Sequence, residues 1–114
     1  MGSRILLSLR KALVLLMVMP AAFSPPAWAG DAAAGRRKAL QCQTCHGLDG
    51  LAKIPGAPNL AGQPEEYLVK SLTDYKTGAR RNEVMSVVAP NLSEQDIADL
   101  AAYFASIEIE VIMP

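Results

Sequence analysis

The sequence predicts an all-α domain: three main helices, joined by long loops, around one bulky apolar group that the chain does not itself supply. Three observations carry this. Capped segments with apolar residues at helical spacing recur, and no pair of alternating runs suggests paired strands. The stretch from Leu48 to Gln63 holds Gly50, Pro55, Gly56, Pro58 and Gly62, which punctuate regular structure. Large side chains are sparse: beyond residue 29 there are one Phe (Phe104), three Tyr and no Trp. A domain this small buries a modest share of its surface and is commonly completed by something outside the chain.

The start of the chain reads as a leader. Arg4, Arg10 and Lys11 form a basic segment, Ala12 to Met19 is unbroken and apolar, and Ala27-Trp28-Ala29 offers small residues at the two positions a signal peptidase reads. The apolar run falls well short of the roughly 20 residues that span a bilayer, and Pro20, Pro25 and Pro26 interrupt any extension. Residues 1–29 are therefore expected to be a cleaved signal peptide and residues 30–114 one exported domain with no membrane span. The whole chain is formally neutral, but residues 30–114 carry eight basic and eleven acidic side chains, a net charge of −3. A mildly acidic domain lacks the clustered basic surface that nucleic-acid binding needs.

The first helix is expected from about Ala32 to Thr44, with Asp31 as N-cap and alanines favouring the helical state. Gly35, inside it, points to close approach by another element. The second helix begins at Pro64. Glu65 and Glu66 suit its positive end. Tyr67, Leu68, Ser71, Leu72 and Tyr75 follow at helical spacing, Lys76 sits in the last turn and Gly78 is a ready C-cap. The third helix opens with Ser93 and Asp96 in a capping-box pattern, flanked by Leu92 and Ile97 as a hydrophobic staple. Ile97, Leu100, Ala101, Phe104 and Ile107 then make one stripe. The tail IEIEVIMP has no partner strand and is expected to be extended.

The chemistry concentrates in Gln41 to Gly50, QCQTCHGLDG. Cys42, Cys45 and His46 admit four readings. A redox dithiol would sit in a βαβ setting, which is missing. A closed zinc site wants four ligands, and the chain has two Cys and one His; a structural disulfide uses the cysteines alone. A plain surface loop uses none of the three. Covalent haem attachment is the reading for which C-x-x-C-H is the established spacing. Two thiols on one helical turn reach the two vinyl groups of one porphyrin edge, and the next residue projects an imidazole at the iron. Export favours this fourth reading.

With QCQTCHG, the segments GAPNLAGQ (residues 56–63), TGARRNEVM (77–85) and LSEQDIADLAAYFAS (92–106) make the chain resemble a class I cytochrome c of the small bacterial periplasmic monohaem type. It is also similar to one half of the two-haem periplasmic cytochromes of that class. The resemblance implies a cytochrome c fold, with three main helices and long loops wrapped around one covalently attached haem c. Cys42 and Cys45 would be thioether anchors and His46 an axial iron ligand. No second His exists. Met1, Met17 and Met19 belong to the leader, Met113 lies beside the C-terminus, and Met85 remains, in the inter-helix loop where the family places its axial Met. The family also fixes the His by a backbone carbonyl twelve residues on, here Pro58, in Pro58-Asn59-Leu60. Arg80 or Arg81 is read either as a haem-propionate contact or as a solvated basic turn, and Asn82 as a group that could bond toward Met85. The aromatic often found in the family's first helix is missing where Lys38, Ala39 and Leu40 stand.

Such a site has both axial positions filled, which favours one-electron transfer over catalysis, and a Met ligand raises the potential. The expectation is a periplasmic electron carrier without a catalytic site of its own, meeting redox donor and acceptor proteins in transient contacts. The alternative is the haem c subunit of a periplasmic dehydrogenase, with the apolar tail from Ile107 to Met113 as docking element.

Overall fold

The computed structural model describes residues 29–114, so the expected leader lies outside the described residues except for Ala29. Every regular element among the described residues is helical. Helix α1 (Ala32–Lys38) starts where the Asp31 carboxylate accepts the Ala33 and Ala34 amides at 2.8 and 3.1 Å. The single helix expected to reach Thr44 is broken. A 3₁₀ turn, Ala39–Gln41, follows α1, and a one-turn helix α2 spans Gln43–His46. The Cys42 amide donates to the Ala39 carbonyl at 2.9 Å, three residues back. Three residues per turn instead of 3.6 re-aims everything that follows. Winding then resumes past Thr44, and His46 N donates to Cys42 O at 3.0 Å.

Helix α3 is Glu65–Thr77, with Pro64 as its cap rather than its first residue: ψ of 133° there is extended, while its carbonyl already accepts Leu68 N at 3.1 Å. Gly78 closes α3 at φ +82°, a left-handed conformation that costs a side-chain-bearing residue energy. A further helix the sequence reading did not anticipate, α4 (Met85–Val88), runs into a 3₁₀ turn at Ala89–Asn91. Val84, Val87 and Val88 are stiff β-branched residues that weaken any helix signal. Here Asn82 overrides them, its Oδ1 accepting the Val84 and Met85 amides at 2.9 and 3.0 Å. Helix α5 (Glu94–Ala105) has the expected capping box, Ser93 and Asp96 bonding reciprocally at 2.9 and 3.0 Å. Ile107 lies beyond its end but still packs on the core.

The core is Ala39, Leu68, Leu92, Ile97, Leu100, Ala101 and Phe104, shared by the α1–α2 region, α3 and α5. Helix α1 crosses α5 at Gly35, where a Cβ would stand 1.9 Å from the Asp99 carbonyl oxygen and 2.7 Å from the Tyr103 Cβ. The close approach read from Gly35 is therefore real, and its partners are Asp99 and Tyr103. Beside the crossing stands Lys38, where the sequence has no aromatic. Its Nζ pairs with Asp99 at 2.7 Å and Asp96 at 2.6 Å. From Ile107 the tail has no regular structure, and Ile109, Val111, Ile112 and Met113 are exposed. No helix among the described residues is long and apolar enough to cross a membrane.

Candidate functional site

Winding of α2 over a single turn brings Cys42, Cys45 and His46 to one wall of a cavity of about 550 Å³. Met85 and Val88 of α4, Leu100, Ala101 and Phe104 of α5, and Leu68 and Leu72 of α3 line the same cavity. Sites for bulky organic ligands fall at roughly 300–1,000 Å³ and are mostly apolar.

His46 is buried, and its Nδ1 lies 2.9 Å from the Pro58 carbonyl oxygen. That contact makes Nδ1 the protonated nitrogen, donating to the carbonyl. Nε2 has no hydrogen-bond partner among the described residues and retains its lone pair. The Pro58 loop is itself held. Asn59 Oδ1 accepts the Ala52 amide at 2.8 Å, and the Leu60 and Ala61 amides converge on the Gly50 carbonyl at 2.7 and 3.0 Å. Gly62 N donates to Phe104 O at 3.0 Å, tying the loop's end to α5.

Burial pushes the Cys42 thiol up to about 11, with Cys45 adding to the effect. A reactive redox cysteine needs a depressed value instead. Both cysteines are free thiols, so no disulfide joins them. Among the described residues no group of three or more His, Cys, Asp or Glu side chains could hold a metal ion, so the closed zinc site finds no ligand set there.

Arg80 lines the cavity, its guanidinium 4.7 Å from the centre of the Tyr75 ring. Arg81 does not line it. Asn82 reaches Met85, but through the Met85 backbone amide rather than the thioether. The polar lining residues Tyr67, Ser71 and Tyr75 show in the sequence only as helical spacing, with no signal that they face a cavity. Asp99 is a buried carboxylate whose only sequence signal is its place one residue before the apolar pair Leu100-Ala101.

The cavity fits the haem that the sequence resemblance implies. Two thiols and a free imidazole nitrogen share one wall, a thioether stands on the lining, and the remainder is largely apolar. Iron takes nitrogen and sulfur donors of this kind.

A family model described as Cytochrome c matches residues 32–108. Cytochrome c4 of Pseudomonas aeruginosa is 53% identical over 83 residues, covering 73% of this chain and 41% of that protein. The crystal structure of reduced recombinant cytochrome c4 from Pseudomonas stutzeri aligns at a TM-score of 0.64 with 45% identity, over 68% of this chain and 46% of the other. A thiosulfate dehydrogenase from Marichromatium purpuratum aligns at a TM-score of 0.64 with 36% identity, over 79% of this chain and 22% of its own. The chain spans about half the length of the cytochromes c4 it matches, in keeping with the resemblance to one half of a two-haem protein. By the family model and the c4 matches, the chain belongs to the cytochrome c family, whose prosthetic group is a covalently attached haem c.

Proposed function

We propose that residues 30–114 form a one-electron carrier that works in the periplasm after removal of residues 1–29, holding one haem c in the cavity described above. When bound, the haem supplies an Fe(III)/Fe(II) couple. Cys42 and Cys45 hold its edge as thioethers, His46 Nε2 and the Met85 thioether ligate the iron, and the Pro58 carbonyl fixes the His46 tautomer and ring orientation. Arg80 faces a haem propionate. Leu68, Leu72, Leu100 and Phe104 exclude water, which disfavours the extra charge of the oxidised state.

One observation carries the reading: His46 Nδ1 is engaged by Pro58 O at 2.9 Å while Cys42, Cys45 and Met85 line the same cavity. An acceptor behind a metal-bound imidazole is the usual means of orienting it. Purified holoprotein should show the sharp reduced bands of six-coordinate haem c and should not bind carbon monoxide readily. Met85→Ala should open the sixth position and lower the potential. A five-coordinate spectrum in the native protein, or an unchanged potential in Met85→Ala, would sink the His/Met ligation.

A second reading is favoured by the match to the thiosulfate dehydrogenase over 79% of this chain. In it the chain is the haem-bearing subunit of a periplasmic dehydrogenase. A carrier purifies alone from its host, whereas a subunit co-purifies in stoichiometric complex.

A further inference from the structure

Among the described residues, Arg80 is the one Lys or Arg on the cavity lining and Glu83 the one carboxylate. The position of Arg80 is set from several sides. The left-handed turn at Gly78 brings the chain back along α3, and the Arg80 amide donates to Asp74 O at 3.0 Å. Its guanidinium lies over the Tyr75 ring at 4.7 Å, and Nη1 stands 3.5 Å from Ser71 Oγ. The Tyr67 hydroxyl is close enough that Arg80, with a lesser effect from Ser71, holds its pKa below the ordinary value. Tyr67, Ser71 and Tyr75 fall four residues apart, on one face of α3.

That face supplies a phenol, a hydroxyl and a π-face to a guanidinium arriving from the next turn. A planar guanidinium stacked on a ring keeps its edge donors free, and those donors match a carboxylate in two-pronged geometry. A haem carries two carboxylates, and a carboxylate beside an apolar cavity needs a counter-charge. We infer that Tyr75, assisted by Ser71 and Tyr67, is the positioning residue that holds Arg80 against an ionised haem carboxylate and so biases the site toward its reduced state. This rests on the haem reading above.

The test is a redox titration of holoprotein variants. Arg80→Gln should lower the equilibrium constant for reduction by about tenfold, which is ~59 mV for one electron. Tyr75→Leu should lower it about two- to fivefold, the worth of an exposed cation–π contact. Tyr75→Phe keeps the ring and should leave the potential unchanged. In an Arg80→Gln background, Tyr75→Leu should add nothing. An equal shift with and without Arg80, or a Phe variant that shifts like Leu, would overturn the inference, since Tyr75 would then act as cavity wall. Should Tyr75→Leu fail to take up haem, Ser71→Ala serves in its place, with a shift of about twofold that must vanish without Arg80. A native protein with no haem c spectrum would overturn the haem reading itself.

Discussion

Asp99 ties the helix that leads into the cysteine–histidine segment to α5, which lends Leu100, Ala101 and Phe104 to the cavity lining. Asp99→Asn isolates the charge without changing shape. In the native fold Oδ1 accepts the Asp31 amide at 2.9 Å and Gln95 Nε2 at 2.8 Å, and Oδ2 accepts Lys38 Nζ at 2.7 Å. The Asn carbonyl can keep the first two bonds, but its amide nitrogen then faces an ammonium group, donor against donor. The loss is one charge-assisted hydrogen bond, about 1.5–3 kcal/mol. Lys38 is not stranded, because it retains Asp96 at 2.6 Å and is partly exposed. The cost should therefore be about 2–3 kcal/mol, below the roughly 3–5 of a broken buried pair. For a domain of this size that is a fall in Tm on the order of 10–20 °C. Burial disfavours ionisation of Asp99, but Lys38, the Asp31 amide and Gln95 outweigh it and hold its pKa below the usual carboxylate value. A depressed folded-state pKa gives stability that is present above the unfolded pKa, near 3.9, and is lost as pH falls through the folded value. The stability gap between the native protein and the Asp99→Asn variant, measured by denaturant titration of both holoproteins, should be full at pH 7 and close below about pH 4. A gap under about 0.5 kcal/mol at pH 7, or one that persists undiminished in acid, would refute the reasoning.

Gly35→Ala should destabilise by at least about 2–3 kcal/mol, because the new Cβ overlaps the Asp99 carbonyl at the helix crossing; thermal melts reading the gain of up to about 1 kcal/mol usual for Gly→Ala in a helix would contradict that contact. Asn82→Ala removes the cap on Val84 and Met85 and should cost the Met85 turn about 1 kcal/mol. Titrating the oxidised holoprotein with imidazole should then show about fivefold tighter binding, with Asn82→Asp restoring the native affinity.

The helices were legible where side chains announce their ends. Asp31 and the Ser93–Asp96 box each state a terminus through a bond short-range in sequence, Glu65-Glu66 through charge in the first turn, and Gly78 through its left-handed backbone. The break at Ala39–Gln41 and the turn at Met85–Val88 were not legible. Alanine favours helix with no regard to winding, and three valines speak against a helix that one asparagine then caps. Two parts of the cavity lining stood in the sequence as C-x-x-C-H and Met85. Its polar side did not, because Tyr67, Ser71 and Tyr75 look like an ordinary packing stripe until the Gly78 turn returns Arg80 over them. Asp99 was hidden for the same kind of reason, since two of its three partners lie 61 and 68 residues away.

These long-range ties explain how so few large side chains can hold a rigid site. The proposed carrier role requires ligands held in one arrangement through both redox states, since movement on electron transfer raises the barrier. Helix α5 supplies Leu100, Ala101 and Phe104 to the cavity lining, so α5 must be registered against the turn that carries His46. Apolar packing at the crossing cannot do this unaided, because Gly35 contributes no side chain and Leu40 is exposed. The register is instead set by directional contacts. Lys38 reaches Asp96 and Asp99, the Asp31 amide reaches Asp99, and the Tyr103 hydroxyl reaches the Leu48 carbonyl at 2.6 Å, two residues past His46. Hydrogen bonds and ion pairs fix position where contact between small residues would slide. The charged cluster at the crossing thus sets the register by angle and distance rather than by area.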